Sequence, residues 1–205
     1  IDIISLVKKM TKYAVMIEAP SQIKYELEKA VYLATHGRPG PVWIDLPLDF
    51  QWQDIEPNAI PSFIPDSLPT LSTKKSFDDN VDASIALLRD AERPIVIAGY
   101  GIRLACAQDE FEALVTRYQI PFVATWNAAD LLPTDSPLHL GRLGISSNRG
   151  ANLAVQNSDL IISIGSHLSI PLTSTQYSNF ARGAKKIVVD IDSDELAFET
   201  VHVDI

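Results

Sequence analysis

The sequence holds one cysteine, few cations and no long apolar run, and each shortage removes a class of function. A lone thiol, Cys106, cannot build a disulfide framework and suits a reducing cytoplasm. No histidine stands beside it in IRLACAQDEF, so it reads as a small residue on the side of a helix. Lys and Arg total 17 against 26 Asp and Glu, a net charge of −9. No basic face is then available to displace counterions from nucleic-acid phosphates, and an anionic membrane surface is disfavoured for the same reason. No apolar stretch approaches the roughly 20 residues that span a bilayer, and the N-terminus lacks a signal-peptide layout. The first residue is Ile and not Met, which suggests a chain trimmed at its start. The four histidines (36, 139, 167 and 202) lack ligand spacing, so no metal site is expected.

What is present is an α/β pattern in two unequal parts. The 205 residues are 46% hydrophobic, enough for one large domain or one domain plus a piece of another. In the first part, residues 2 to 10 read as a helix. Ile23, Leu27, Ala30, Val31 and Ala34 recur at helical spacing over 21 to 35, between Pro20-Ser21 and the stop at Gly37, Pro39 and Gly40. Pro41 to Leu46 then reads as a buried strand whose partners lie outside the preceding residues. Residues 1 to 51 are thus the tail of an α/β unit. Residues 52 to 78, with Pro57, Pro61, Pro65 and Pro69, read as an extended linker that lies on a surface through Ile60, Phe63, Ile64 and Leu68.

From 79 onward helices and strands alternate. A helix carrying Val81, Ile85 and Leu88 leads into PIVIAG (94–99), and one near 107–118 into PFVAT (121–125). After a long loop, a helix near 149–157 leads into DLIISIG (159–165); a further loop, with a helical turn around 176–180, leads into KIVVDID (186–192). These strands are continuous β-branched runs, which indicates burial on both faces. The expected fold is a doubly wound parallel sheet with helices on each side over 79 to 205.

Ligands of such sheets bind beyond the carboxyl ends of the strands. Those ends carry Gly99-Tyr100-Gly101, Thr125-Trp126-Asn127, Gly165-Ser166-His167 and Asp190-Ile191-Asp192. Glycines permit backbone approach to a ligand and paired aspartates accept from ribose hydroxyls, but the same glycines also serve as plain turn residues. The dinucleotide fingerprint fails, because Leu104 stands at the third glycine position. In HLGRLGISSNRGAN, Gly141, Gly144 and Gly150 surround Ser146, Ser147 and Asn148 ahead of a helix, a layout for binding phosphate or for ordinary capping. DIDSDE lacks the glycine of a calcium loop, and there is no P-loop and no G-x-S-x-G.

Several stretches, in order, resemble thiamine-diphosphate-dependent enzymes of the acetohydroxyacid synthase and pyruvate decarboxylase type. KYAVMIEAPSQIKYELEKAVYLATHGRPGPVWIDLPLDFQ is similar to the end of their pyrimidine-binding domain. RPIVIAGYGIRLA, IPFVATWNAADLLP, HLGRLGISSNRGANLAVQNSDLIISIGSHL and AKKIVVDIDSDEL follow in the order of their central domain. The resemblance covers the whole chain. It implies domains at 1–51 and 79–205 joined by a linker at 52–78, and a parent that makes or breaks a carbon–carbon bond next to a carbonyl.

The family's activating glutamate would lie upstream of residue 1. Its GDG stretch, which holds Mg²⁺ and the diphosphate, would lie downstream of Ile205. The resemblance therefore implies that this piece is inactive alone. It also implies partnership with the missing pyrimidine- and pyrophosphate-binding domains, and a homodimer or homotetramer. Some members bind FAD in the central domain. Gly99, Gly101, Thr125, Gly141, Gly144, Gly165, Asp190 and Asp192 fall where those members place contacts. His167 and Ser169 stand where they typically carry an arginine and an acidic residue, so the reading leans away from FAD. Two other readings stand beside this one. One is a stand-alone FAD- or NAD-type nucleotide-binding module, as in sirtuin-type deacylases; the other is a non-catalytic interaction protein.

Overall fold

A computed structural model of the chain describes residues 1–65, 74–197 and 200–205. It comprises two compact units, Ile1–Ser72 and Thr73–Ile205.

The first unit holds α1 (Ile3–Val7), β1 (Tyr13–Met16), α2 (Ile23–Thr35), β2 (Val42–Asp45) and α3 (Leu48–Gln51). β1 corrects the expectation that β2 lacks a partner in the residues before it. The two strands pair in parallel, Tyr13 opposite Val42 and Met16 opposite Asp45. β2 is also shorter and less buried than expected, with Trp43 exposed. Lys12 joins the two strands to the helix between them: its Nζ donates to the carbonyls of His36 and Arg38 at 2.8 Å each, just past the end of α2. A cation suits that end of a helix dipole. The Tyr13 hydroxyl donates to the Glu26 carboxylate, and burial together with that carboxylate raises its phenol above the usual range.

α2 packs on both strands through Ala30. Leu27 and Val31, expected on the same inward face, are exposed. Of the expected linker, Leu68 and the rest of 66–73 lie outside the described residues. The part before it runs back over α2: the Phe63 ring sits 5.6 Å from both Tyr25 and Tyr32, its N–H donates to Glu28 at 2.8 Å, and Lys24 holds the Pro57 carbonyl.

The second unit is the expected doubly wound sheet. β3 (Pro94–Ala98), β4 (Phe122–Ala124), β5 (His139–Arg142), β6 (Leu160–Ile164) and β7 (Lys185–Val189) form one fully parallel sheet in the order β5-β4-β3-β6-β7. The helices are α4 (Lys74–Asp90), α5 (Gly101–Leu104), α6 (Gln108–Tyr118), α7 (Arg149–Gln156), α8 (Ile170–Thr173) and α9 (Ser193–Ala197). Alternation along β3 feeds two cores. Ile95 and Ile97 pack with Val155, Ile161 and Phe180 on one face; Val96 and Ala98 pack with Phe111, Val115 and Phe122 on the other. Both faces are therefore covered, as a parallel sheet requires.

Three expectations need correction. α4 begins at Lys74, and only its last turn joins the core: Leu88 packs there, while Val81 and Ile85 are exposed. β5 occupies part of the stretch read as a loop. Cys106 is not packed on a helix; it is exposed in the turn between α5 and α6, at φ +54°.

Two clamps hold the central strands. At the amino end, Asp159 accepts from the N–H groups of Glu92 and Arg93 at 2.8 and 2.9 Å, so the entry to β3 is tied to the entry to β6. At the carboxyl end, Gly99 N–H donates to Ile164 and Gly101 N–H to Gly165, both at 2.9 Å. A Cβ on Gly99 would lie 2.0 Å from the Gly165 carbonyl oxygen. Gly183 has open space around it. Gly99→Ala is therefore expected to cost about 3 kcal/mol or more, and Gly183→Ala less than about 0.5 kcal/mol, in urea melts of the two variants.

Burial, the largest single influence on the Asp159 carboxyl, raises it, but the N–H bonds from Glu92 and Arg93 and the Arg93 charge together outweigh it and hold the group below the usual carboxylate range. A depressed folded-state pKa gives stability that is present above the unfolded carboxyl range and lost as pH falls through the folded value. Asp159→Asn should lose that acid-side slope while wild type keeps it, as read from unfolding midpoints measured at stepwise lower pH.

Candidate functional site

The strand order reverses at β3: the chain moves outward through β4 and β5, then returns to the other side of β3 as β6. A parallel sheet places its crevice at that reversal, beyond the carboxyl ends of the strands. Gly99, Gly101 and Gly165 meet there. Gly165 has φ +59°, and the three glycines let two main chains touch and continue the ladder beyond the strands. Thr125 leaves the neighbouring β4; its N–H donates to Ala98 at 2.9 Å, and it is nearly buried.

The other four candidates lie elsewhere. Gly141 and Gly144 follow β5 with φ of +105° and +112°. Their loop is held by two asparagines. Asn148 Oδ1 accepts from Arg142 N–H at 3.0 Å; Asn152 accepts from Gly144 N–H and donates back to Gly144 O, both at 3.0 Å. Asn148 precedes α7 but makes no capping bond, so ordinary capping is not its role. Ser147 is also engaged, donating its hydroxyl to the Gly144 carbonyl. Asp190 and Asp192 follow β7 at the far margin. Asp190 Oδ1 accepts from Asp192 N–H at 2.9 Å, and Asp192 Oδ1 from Asp194 N–H at 3.0 Å, which seats the start of α9. Four strand spacings separate β5 from β7, roughly 19 Å. The eight candidates thus form three separate groups.

A cleft of about 380 Å³ opens beside Asp190. The loop after β6 (Ser166 to Pro171), Val188 and Asp190, Glu195 and Leu196 of α9, and residues 200, 201 and 203 line it, with Tyr177. His167 and Glu195 close across it: Nδ1 donates to Oε2. A carboxylate only accepts, so the bond assigns the proton to Nδ1. Sequence reasoning missed this pair, since 28 residues separate its members and no local period links them.

It also missed His139 and Ser163. His139 stacks on Phe122 at 4.7 Å, and among the described residues neither of its ring nitrogens nor the buried Ser163 Oγ has a hydrogen-bond partner. Among the described residues no three His, Cys, Asp or Glu side chains converge to hold a metal ion, and no helix is long and apolar enough to cross a membrane.

Comparison with known proteins bears on what this layout is. Residues 81–205 match the family of the thiamine pyrophosphate enzyme central domain. The chain belongs to that family. Among relatives, the acetolactate synthase large subunit of Lactococcus lactis is 35% identical over 199 residues, covering 95% of this chain and 33% of the relative. A probable acetolactate synthase large subunit of Methanocaldococcus jannaschii is 35% identical over 208 residues, covering 100% and 34%. The probable acetolactate synthase 2, chloroplastic, of Oryza sativa is 33% identical over 195 residues, covering 95% and 29%. The chain thus spans about a third of the length of the curated relatives it matches. The matches extend through the first unit as well as the central domain, so the resemblance read from the ordered stretches holds along the whole chain.

In this thiamine pyrophosphate enzyme central domain, Asn152 is the side chain that closes the Gly144 loop from both sides. Asn152→Ala removes both bonds, leaving the buried Gly144 N–H unpaired and its carbonyl with Ser147 alone. A loss of about 1–3 kcal/mol is expected in thermal or urea unfolding, with the largest local increase in amide exchange at 141–148.

Proposed function

We propose that the chain is part of a thiamine-diphosphate-dependent, acetolactate synthase-like 2-oxo acid decarboxylase or carboligase, and that its own role is architectural. The observation that carries this reading is the match of the whole chain, through both units, to about a third of each acetolactate synthase large subunit. When bound, thiamine diphosphate supplies the carbanion-stabilising centre that such carbon–carbon chemistry requires. We assign no catalytic residue to this chain.

Residues 1–51 are taken as the end of the pyrimidine-binding domain, 52–78 as the connection and 79–205 as the central domain. The exposed side chains of the first unit support further domains beside it: Leu27 and Val31 on α2, Trp43 on β2, Leu48 on α3 and Trp52. A two-stranded sheet is also too small to stand by itself. A homodimer or homotetramer in the cytoplasm is the proposed setting. Gly99, Gly101 and Gly165 are read chiefly as the packing that shapes the central domain, and Thr125, Gly141, Gly144, Asp190 and Asp192 as lining positions beyond the strand ends.

A stand-alone nucleotide-binding module is not favoured, because that reading leaves the similarity of residues 1–80 without a cause.

Calorimetric titration of residues 1–205 with thiamine diphosphate and Mg²⁺, alongside the full-length protein, tests the proposal. Saturable binding and 2-oxo acid consumption are expected from the full-length protein and neither from the isolated chain. Turnover by the isolated chain would overturn the architectural role.

A further inference from the structure

The loop after β6 holds donors that the fold leaves unused. Gly165 N–H donates to Val189 O at 2.8 Å and Ser169 N–H to His167 O at 2.7 Å. Between them, the N–H groups of Ser166, His167 and Leu168 have no partner among the described residues. The Ser166 hydroxyl has none there either, although Ser166 is only 7% exposed and lines the cleft. Buried polar groups are normally paired, so a run of unmet donors on one wall of a cleft points to an acceptor brought by a ligand.

The adjoining wall carries the opposite need. Asp190 leaves β7, and its Oδ1 accepts from Asp192 N–H at 2.9 Å, while its Oδ2 has no partner among the described residues. Glu195, the second acid of the lining, is engaged by His167. No lysine or arginine among the described residues lines the cleft to pair with Asp190. Ile164 stands opposite Val189, so the donor loop and Asp190 leave neighbouring strand ends, roughly 5 Å apart at their roots. An α-amino acid meets both walls at once: its carboxylate accepts and its ammonium donates, and one carbon joins the two. The rest of the lining is largely apolar, with Leu168, Pro171, Leu196 and Val201 beside the ring of Tyr177. About 380 Å³ is far more than the two charged groups fill, and that wall suits a large aromatic side chain.

We propose that this cleft binds an α-amino acid with an aromatic side chain, the Ser166–Leu168 loop taking its carboxylate and Asp190 its ammonium. The site lies wholly in the second unit and does not depend on the parent reaction proposed above.

The test is calorimetric titration of the full-length protein with L-phenylalanine and L-tryptophan. Two analogues carry one charge each: 3-phenylpropionate lacks the ammonium and 2-phenylethylamine lacks the carboxylate. Saturable binding of at least one amino acid is expected, with both analogues roughly tenfold or more weaker, since each leaves one wall unmet. Asp190→Asn should weaken the amino acid roughly tenfold without weakening 3-phenylpropionate. Ser166→Ala should weaken the amino acid and 3-phenylpropionate about fivefold each and leave 2-phenylethylamine unchanged. Circular dichroism confirms folding. Should Asp190→Asn disturb the turn that seats α9, Ser166→Ala, which removes only an unpartnered hydroxyl, carries the comparison with the same outcomes. Absence of saturable binding to wild type overturns the proposal, as does an affinity that no folded variant changes. Stoichiometric flavin that stays bound through desalting and is not displaced by either amino acid makes a nucleotide the occupant and overturns it as well.

Discussion

Main-chain contact between the ends of β3 and β6 is the constraint on which the central domain depends. Gly99 and Gly101 on one side and Gly165 on the other approach so closely that no side chain fits between them. That approach seats β6 against β3 after the chain has travelled out through β4 and β5. Without it, the two halves of the sheet would meet only along the ladder itself. The Asp159 carboxylate performs the matching task at the opposite end, with two main-chain N–H groups as its targets. β3 and β6 are thereby fixed to each other at both ends, and the flanking helices pack on a sheet whose register is already set.

Much of this fold was legible in the chain because burial on both faces leaves a plain mark. PIVIA and LIISI are unbroken apolar runs apart from Ser163, and each became a central strand. Less buried elements left weaker marks. β1, YAVM, is flanked by Lys12 and Glu18 with no turn residues to set it off, and its partner lies beyond a whole helix, so its pairing escaped notice. β5 contains Gly141 and Arg142 and pairs irregularly with β4, so it looked like loop. On α4, Val81 and Ile85 keep the spacing of a core stripe yet face solvent, because periodicity reveals amphipathicity without naming the surface that covers it.

The site was legible only as a set of strand ends. Listing residues that follow strands located Gly99, Gly101 and Gly165 together, but it carried no information on strand order, and the order is what sends the residues after β5 and after β7 to opposite margins. The cleft was illegible for a different reason. It is made by the loop after β6, the start of α9 and a segment near residue 200, and only the fold brings these together. A histidine and a glutamate that meet across such a distance in sequence leave no trace in composition or spacing.

The segment at 203–205 lies alongside β7: Asp204 and Ile205 donate to the Lys186 carbonyl, and Val188 donates to the Ile205 carbonyl. An all-parallel sheet presents two open rows of main-chain donors and acceptors, and on this side the row is already occupied by the protein's own backbone. On the other side, β5 is four residues long and irregular, a poor template for an incoming strand. Both margins thus discourage edge-to-edge joining of neighbouring molecules, so the central domain is guarded against fibrous self-association by its own geometry.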